Sequence, residues 1–161
     1  MSKNLDPQSL KAWSEDIRQK GIKLVLTNGC FDLLHVGHVR YLESARSLGD
    51  ALLVALNSDV SVRALKGAQR PVNNQEDRAE VIAALQCVDY VTVFDSLRVT
   101  EIIRRVRPAV YTKGGDYDLG TLDPEEVEAL QKVGTEIRIL PQVPDRSTTK
   151  LIDRLKATRG G

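Results

Sequence analysis

Short apolar runs alternate along the chain with stretches in which apolar residues recur every three or four positions. The short runs predict buried strands, and the longer periodic stretches predict helices. The predicted strands are residues 23–27, 51–57, 90–94, 109–113 and 136–140. Strands and helices that alternate in this way are joined by right-handed crossovers. We therefore predict a Rossmann-like single α/β domain with a five-stranded, mostly parallel sheet and helices on both faces.

Capping residues mark where the predicted helices begin and end. The first helix is predicted to start at Asp6, an N-cap acceptor followed by proline, and to stop at Gly21. It forms an N-terminal leader over residues 1–21, ahead of a main domain over residues 22–161. The other predicted helices are residues 37–48, 74–85, 97–106, 123–134 and 147–156. Asp123 and Glu126 predict a capping box at the start of the helix over 123–134, and Ser147 is the predicted N-cap of the last helix.

The leader helix carries the apolar residues Leu10, Trp13 and Ile17 on one face. This face could pack on the main domain or on a second copy of the chain. The second alternative predicts a homodimer, which the sequence does not decide.

Length and composition narrow the class of protein. The chain has 161 residues, enough for one domain whose core needs neither disulfides nor a metal. Lys and Arg number 23 and Asp and Glu number 22, so the formal net charge of +1 predicts no general attraction to nucleic acid or to an anionic membrane. No apolar run is long enough to span a bilayer, no signal-peptide core opens the chain, and Cys30 and Cys87 show no paired spacing. These features predict a cytoplasmic protein that binds anions locally.

Polar segments follow four of the predicted strands. They are residues 28–38, 57–74, 113–117 and 145–150. In parallel α/β sheets, ligands bind beyond the carboxyl ends of the strands, where backbone amides and helix N-termini face outward. We therefore expect these four segments to converge on one crevice.

Both histidines of the chain lie three residues apart, in the segment His35-Val36-Gly37-His38 at the start of a predicted helix. A helix N-terminus offers free N–H groups and a favourable dipole to an anion, and glycine lets a phosphate approach the backbone. Two imidazole donors could stabilise phosphate oxygens as charge develops. Two alternatives stay open: a zinc site with Cys30 and Asp32, or ordinary capping or surface histidines.

The segment from Thr27 to His38 (TNGCFDLLHVGH) resembles the HxGH signature of the cytidylyltransferase-like nucleotidyltransferases. Further matching segments are Leu65-Lys66-Gly67, Arg70-Pro71-Val72, Asp77-Arg78, Lys113-Gly114-Gly115-Asp116-Tyr117 and Ser147-Thr148-Thr149. Within that superfamily, the chain is most similar to the adenylyltransferase domain of ADP-heptose synthase. The resemblance implies transfer of AMP from ATP to D-glycero-β-D-manno-heptose 1-phosphate, with release of pyrophosphate, on the way to the inner core of lipopolysaccharide.

The resemblance also implies roles for individual residues. Catalytic roles fall to His35, His38 and Lys66, of which the histidines stabilise the transition state. The implied nucleotide-binding residues are Thr27, Asn28, Gly29, Phe31, Gly37, Arg78, Gly114, Asp116, Arg146, Ser147, Thr148 and Thr149. Arg78 is implied as a ligand of the sugar phosphate or of the triphosphate.

Each of these segments has a structural interpretation as well. The basic residues of the second loop and the following helix could form a solvated face, and residues 113–116 could be a glycine turn with a capping aspartate. Ser147 alone would suffice as an N-cap. Thr148 and Thr149 are poor helix formers, so their place in a first turn favours contact with a ligand.

Mg²⁺ is expected to accompany ATP, because this ion usually bridges substrate phosphates with few protein ligands. Asp32 and Asp59 flank the expected phosphate site. Either could hold the ion through water, or could simply cap a turn.

The predicted reaction is a direct in-line attack of the sugar phosphate on the α-phosphorus of ATP. The attacking phosphate is ionised near neutral pH, so the reaction needs neither a protein nucleophile nor a general base. The alternatives are a cytidylyltransferase acting on glycerol 3-phosphate and a non-catalytic nucleotide-binding module.

An NAD-dependent dehydrogenase would share this fold class, but the sequence lacks the G-x-G-x-x-G turn of these enzymes. The resemblance finally implies a separate sugar kinase that supplies the sugar 1-phosphate, because this sequence has no counterpart of the kinase domain often fused in relatives.

Overall fold

A computed structural model describes residues 3–115, 118 and 120–158. The strands are β1 (Leu24–Gly29), β2 (Ala51–Asn57), β3 (Tyr90–Phe94), β4 (Val110–Gly114) and β5 (Glu136–Leu140). They form one sheet in the order β3-β2-β1-β4-β5, and each of the four neighbouring pairs is parallel. The predicted five-stranded α/β fold is confirmed.

The described residues form seven helices. They are α1 (Leu10–Gln19), α2 (Val36–Arg46), α3 (Asp59–Lys66), α4 (Gln75–Ala84), α5 (Thr100–Val106), α6 (Pro124–Val133) and α7 (Thr148–Ala157). Of these, α3 was not predicted. It is short and largely exposed, and Ser58 caps it by accepting a hydrogen bond from the N–H of Ser61.

The predicted start of the first helix is wrong. Asp6 caps a turn, in which its carboxylate accepts the N–H of Gln8 at 2.9 Å, and α1 begins only at Leu10. The predicted capping box of α6 also differs, since the Glu126 carboxylate accepts the N–H of Val99 at 3.2 Å. Glu126 therefore connects α6 to the start of α5.

Two apolar layers cover the two faces of the sheet. Helices α1, α5 and α6 pack on one face with residues such as Leu26 and Leu53, and α2 and α4 pack on the other with Val25 and Leu52. This alternation follows from the period of two along each strand. The leader helix belongs to the first layer, and its Trp13 ring meets Tyr90 edge-on at 4.8 Å. The apolar face of the leader thus packs on its own domain.

The side of the sheet on which successive strands are added changes between β1 and β4. The connections from β1 through β2 to β3 run towards one edge, and β4 and β5 lie on the other side. Such a switch point opens a crevice at the carboxyl ends of the two central strands. In the part of the chain that the structure describes, no helix has the length and apolar character needed to cross a membrane.

Thr100 provides a test of the packing. Its hydroxyl is the only buried side-chain polar atom without a hydrogen-bond partner among the described residues. Replacing Thr100 by Val should stabilise the fold by about 1 kcal/mol, because it removes the cost of an unpaired buried hydroxyl. Urea denaturation measures the change. Thr92→Val is the matched control, since the Thr92 hydroxyl donates to the Leu5 carbonyl at 3.0 Å and its loss should destabilise. Equal destabilisation of both variants would contradict this account.

Candidate active site

A cleft of about 1100 Å³ opens at the carboxyl ends of the central strands. It is lined by the segments that follow β1, β2, β4 and β5, as expected from the sequence. Most of the predicted site residues line it, namely Asn28, Gly29, Phe31, His35, Gly37, His38, Lys66, Gly114, Arg146, Ser147, Thr148 and Thr149. The structure thus brings these residues together around one space.

The two histidines cap α2 through reciprocal hydrogen bonds. The N–H of Gly37 donates to Nδ1 of His35 at 3.1 Å, and the N–H of His35 donates to Nδ1 of His38 at 3.4 Å. The two rings stack with their centroids 3.8 Å apart. Because an accepting Nδ1 carries no proton, these bonds assign the proton of each neutral ring to Nε2.

Both imidazoles are held in the neutral form. Burial lowers the pKa of His38 from 6.5 to about 4, with smaller contributions from positive charge on His35 and Lys66. Burial and the Arg146 guanidinium also lower the pKa of His35. At neutral pH the two side chains are therefore hydrogen-bond donors through Nε2–H rather than cations.

The starts of α2 and α7 lie against each other at Gly37. A Cβ at this position would lie 2.8 Å from the His35 ring and 3.1 Å from Cβ of Arg146, so a larger residue would force the two helices apart. Thr148 ties the start of α7 to the loop before α2, because its hydroxyl donates to the Leu33 carbonyl at 2.9 Å. Two helix N-termini thus border the same cleft, and the positive ends of their dipoles suit the binding of anions.

Phe31 supports the histidine motif from the preceding turn. Its backbone has a φ of 45°, unusual for a bulky residue, and its ring centroid lies 5.2 Å from that of His38. Gly29 is required beside it, since a Cβ there would lie 2.9 Å from the Phe31 ring. Strained backbone of this kind clusters at functional sites.

The predicted role of Arg78 as a phosphate ligand does not match its position. Its side chain is fully buried beneath the loops and does not line the cleft. The guanidinium donates to the carbonyls of Cys30 (2.7 Å), Asn57 (2.8 Å) and Asn73 (3.0 Å), and to the Asp59 carboxylate (2.8 Å). Arg78 therefore fastens the loops after β1 and β2 to each other.

Asp32 holds the second loop in a similar way. Its buried carboxylate accepts hydrogen bonds from Arg70 Nε (2.7 Å) and from the N–H groups of Val72 (2.9 Å) and Asn73 (3.0 Å). Burial alone would raise the pKa of Asp32, but these hydrogen bonds outweigh it and the pKa lies below its ordinary value. Asp32 and Asp59 are both paired with arginines, and the role of either as a water-mediated magnesium ligand stays a prediction.

A zinc site receives no support from the described residues, among which no three His, Cys, Asp or Glu side chains cluster as metal ligands. The interpretation of the histidines as helix caps is correct for one nitrogen of each ring, because both Nδ1 atoms accept backbone N–H groups at the start of α2. Their Nε2 atoms remain for chemistry in the cleft.

Two further predicted nucleotide-binding residues are not among those that line the cleft. One is buried, and the other lies outside the described residues. Thr27 is completely buried below the floor of the cleft, where its hydroxyl donates to the Thr112 carbonyl at 3.2 Å. Asp116 and the adjoining Tyr117 lie outside the described residues.

Several lining residues were missed by the sequence analysis. They are Tyr41, Leu97, Arg98, Gln142, Val143 and the segment that begins α6, including Asp123 and Glu126. The loop after β3 follows the same strand-end rule as the others, so that rule could have found Leu97 and Arg98. Arg98 forms ion pairs with Asp123 and Glu125, which join this loop to α6.

Comparisons with known proteins agree with this geometry. The profile of the cytidylyltransferase-like family matches residues 26–154. Bifunctional protein HldE of Geobacter sulfurreducens is 48% identical over 143 residues, which cover 89% of this chain and 29% of that protein. HldE of Geobacter metallireducens is 45% identical over 161 positions, covering 98% of this chain and 31% of the relative. The chain therefore spans about three tenths of the length of these curated relatives.

Solved structures show the same fold. The lipopolysaccharide core biosynthesis protein from Thermoplasma volcanium superposes with a TM-score of 0.63 at 28% identity, covering 76% of this chain and 98% of that one. Pantoate-beta-alanine ligase from Francisella tularensis, at 14% identity and a TM-score of 0.60, covers 90% of this chain and 68% of that one and supports the fold alone. Since the family match includes the histidine motif, most of β1 and the other four strands, the chain belongs to the cytidylyltransferase-like family and is a nucleotidyltransferase.

Proposed function

We propose that the protein transfers AMP from ATP to D-glycero-β-D-manno-heptose 1-phosphate, forming ADP-heptose and releasing pyrophosphate. The observation that carries this proposal is the pair of neutral imidazoles at the joined starts of α2 and α7. A set of fixed N–H donors around an open cleft suits a reaction in which phosphate charge is redistributed.

The choice of nucleotide and sugar rests on similarity. The dispersed motifs resemble the adenylyltransferase domain of ADP-heptose synthase, and curated relatives from several bacteria share the name bifunctional protein HldE. The solved structure from Thermoplasma volcanium is described as a lipopolysaccharide core biosynthesis protein. These names agree with a sugar nucleotide as the product.

The histidines act on the transferred phosphoryl group. Their Nε2–H groups donate to the oxygens of the α-phosphate, where charge builds up as the sugar phosphate attacks in line. Because both rings are neutral before the reaction, they serve as donors and need not accept a proton. The attacking phosphate supplies its own negative oxygen.

The leaving pyrophosphate is assigned to the basic side of the cleft. Lys66 at the end of α3 and Arg146 before α7 line it and can neutralise this charge. Mg²⁺, which we propose to accompany ATP, would supply positive charge at the triphosphate and would need few protein ligands. No step of this mechanism depends on Asp32 or Asp59, whose carboxylates are occupied by arginines.

The source of the sugar 1-phosphate and the oligomeric state stay predictions. A sugar kinase must supply the acceptor, but this chain matches only a part of its longer relatives. A homodimer also stays a prediction. The apolar face of α1 cannot form its interface, because Leu10 and Ile17 are buried in the domain.

Pyrophosphate release tests the substrates directly. The purified protein is assayed with Mg²⁺ and each combination of ATP or CTP with D-glycero-β-D-manno-heptose 1-phosphate or glycerol 3-phosphate. We expect turnover only with ATP and the heptose phosphate. Turnover with CTP and glycerol 3-phosphate would replace the proposal by the cytidylyltransferase alternative, and binding of ATP without any turnover would favour a non-catalytic module.

His38→Ala tests the role of the histidine pair. Loss of one preorganised donor should lower kcat by roughly 10²-fold to 10³-fold, as at other oxyanion-type sites. The Kd for ATP should change by less than kcat, because the bond strengthens as charge develops in the transition state. Steady-state kinetics and calorimetric ATP binding measure the two effects. A variant with wild-type kcat and a matching thermal stability would refute the assignment.

A further inference from the structure

Three hydroxyl groups meet directly below the floor of the cleft. Tyr41 Oη lies 2.8 Å from Thr27 Oγ1 and 2.9 Å from Thr112 Oγ1, and the Thr27 hydroxyl donates to the Thr112 carbonyl at 3.2 Å. Both threonines are completely buried. Buried polar groups in proteins nearly always have a hydrogen-bond partner, and each of these three hydroxyls has one.

The direction of these hydrogen bonds follows from the number of protons. The single proton of the Thr27 hydroxyl goes to the Thr112 carbonyl, so Thr27 Oγ1 accepts from Tyr41. Tyr41 then has no proton left for Thr112, whose hydroxyl donates to Tyr41. The result is a closed chain of hydrogen bonds that begins and ends on Thr112.

This chain joins three elements at the switch point of the sheet. Thr27 and Thr112 are register partners on β1 and β4, and Tyr41 belongs to α2. Tyr41 follows His38 by three residues, so the two side chains share one face of the helix. Thr112 is followed on β4 by Lys113 and Gly114, which also line the cleft.

We propose that Tyr41 is a positioning residue, which fixes the first turn of α2 on the β1–β4 pair and thereby holds the His38 imidazole in its donating orientation. The kinetic part of this inference rests on the proposed nucleotidyl transfer. The His38 ring is otherwise held by contacts on its own side, with Phe31 and His35. The hydroxyl of Tyr41 adds a polar connection from this helix to β1 and β4, beside the apolar packing of α2 on the sheet.

Tyr41→Phe removes only the hydroxyl that closes the chain. The Thr112 hydroxyl loses its acceptor, and the start of α2 loses its polar attachment to the sheet. Small displacements of catalytic groups are costly, so we expect kcat to fall on the order of tenfold. The KM for ATP should change less than kcat, because the bonds that His38 donates strengthen mainly in the transition state.

A spectroscopic measurement follows the same effect without substrate. The chain contains two histidines, so long-range ¹H–¹⁵N spectra show only two imidazoles. In the wild type, both should have the shifts of the neutral Nε2–H tautomer at pH 7. In Tyr41→Phe, the 3.4 Å bond from the His35 amide to His38 Nδ1 should weaken, and the His38 nitrogens should move towards an average of the two tautomers.

Matched variants separate positioning from a general loss of stability. Tyr90→Phe removes the same atom on β3, outside the cleft, and Thr92→Val removes a buried hydroxyl hydrogen bond near the sheet edge. Both should keep the wild-type kcat and imidazole shifts. Thr112→Val should lower kcat in the same direction but by less than Tyr41→Phe, because Tyr41 still donates to Thr27. The double variant should be no worse than Tyr41→Phe alone, and Thr112→Ser should behave as the wild type.

Two results would overturn the inference. One is a Tyr41→Phe variant with wild-type kcat and unchanged His38 shifts, and the other is an equal loss of kcat in Thr92→Val. If the wild type itself releases no pyrophosphate, the proposed function fails, but the imidazole shifts of Tyr41→Phe and Thr112→Val still decide whether Tyr41 positions His38.

Discussion

The reciprocal hydrogen bonds at the start of α2 determine what the site can do. Nδ1 of His35 and Nδ1 of His38 each accept a backbone N–H, so the only proton of each neutral ring is on Nε2. Burial then opposes the gain of a second proton, most strongly at His38. The histidines are therefore fixed donors, and this agrees with a reaction whose nucleophile is already ionised.

Buried ion pairs hold the loops around these donors. The pair of Arg70 with Asp32 joins the segments after β1 and β2, and the pair of Arg78 with Asp59 joins α4 to the start of α3. Removing one partner of a buried pair typically costs about 3–5 kcal/mol. The basic residues near the cleft are thus divided between two tasks. Arg70 and Arg78 carry the framework, whereas Lys66 and Arg146 are the cleft residues that we propose to meet the negative charge of the substrates.

Strand positions could be predicted well from the sequence because each strand is a short apolar run bounded by turn residues, and the loops after the strands located most of the cleft. Arg78 was misplaced because helical periodicity does not reveal whether a long cation on an inner face reaches a ligand or neighbouring carbonyls. Thr27 could have been placed, since the period of two puts it with Val25 on the face covered by α2. Helix α3 escaped prediction because Val62 is its only fully buried apolar residue.

The central claim is a direct in-line displacement at the α-phosphorus, with donors in place of a protein nucleophile. Its most direct test uses ATP with a stereochemically pure sulfur substitution on the α-phosphate, and phosphorus NMR to read the configuration of the sugar nucleotide formed. A single displacement inverts the configuration, which is the result that this account predicts. Retention would require two displacements through a covalent nucleotidyl-enzyme and would contradict the account.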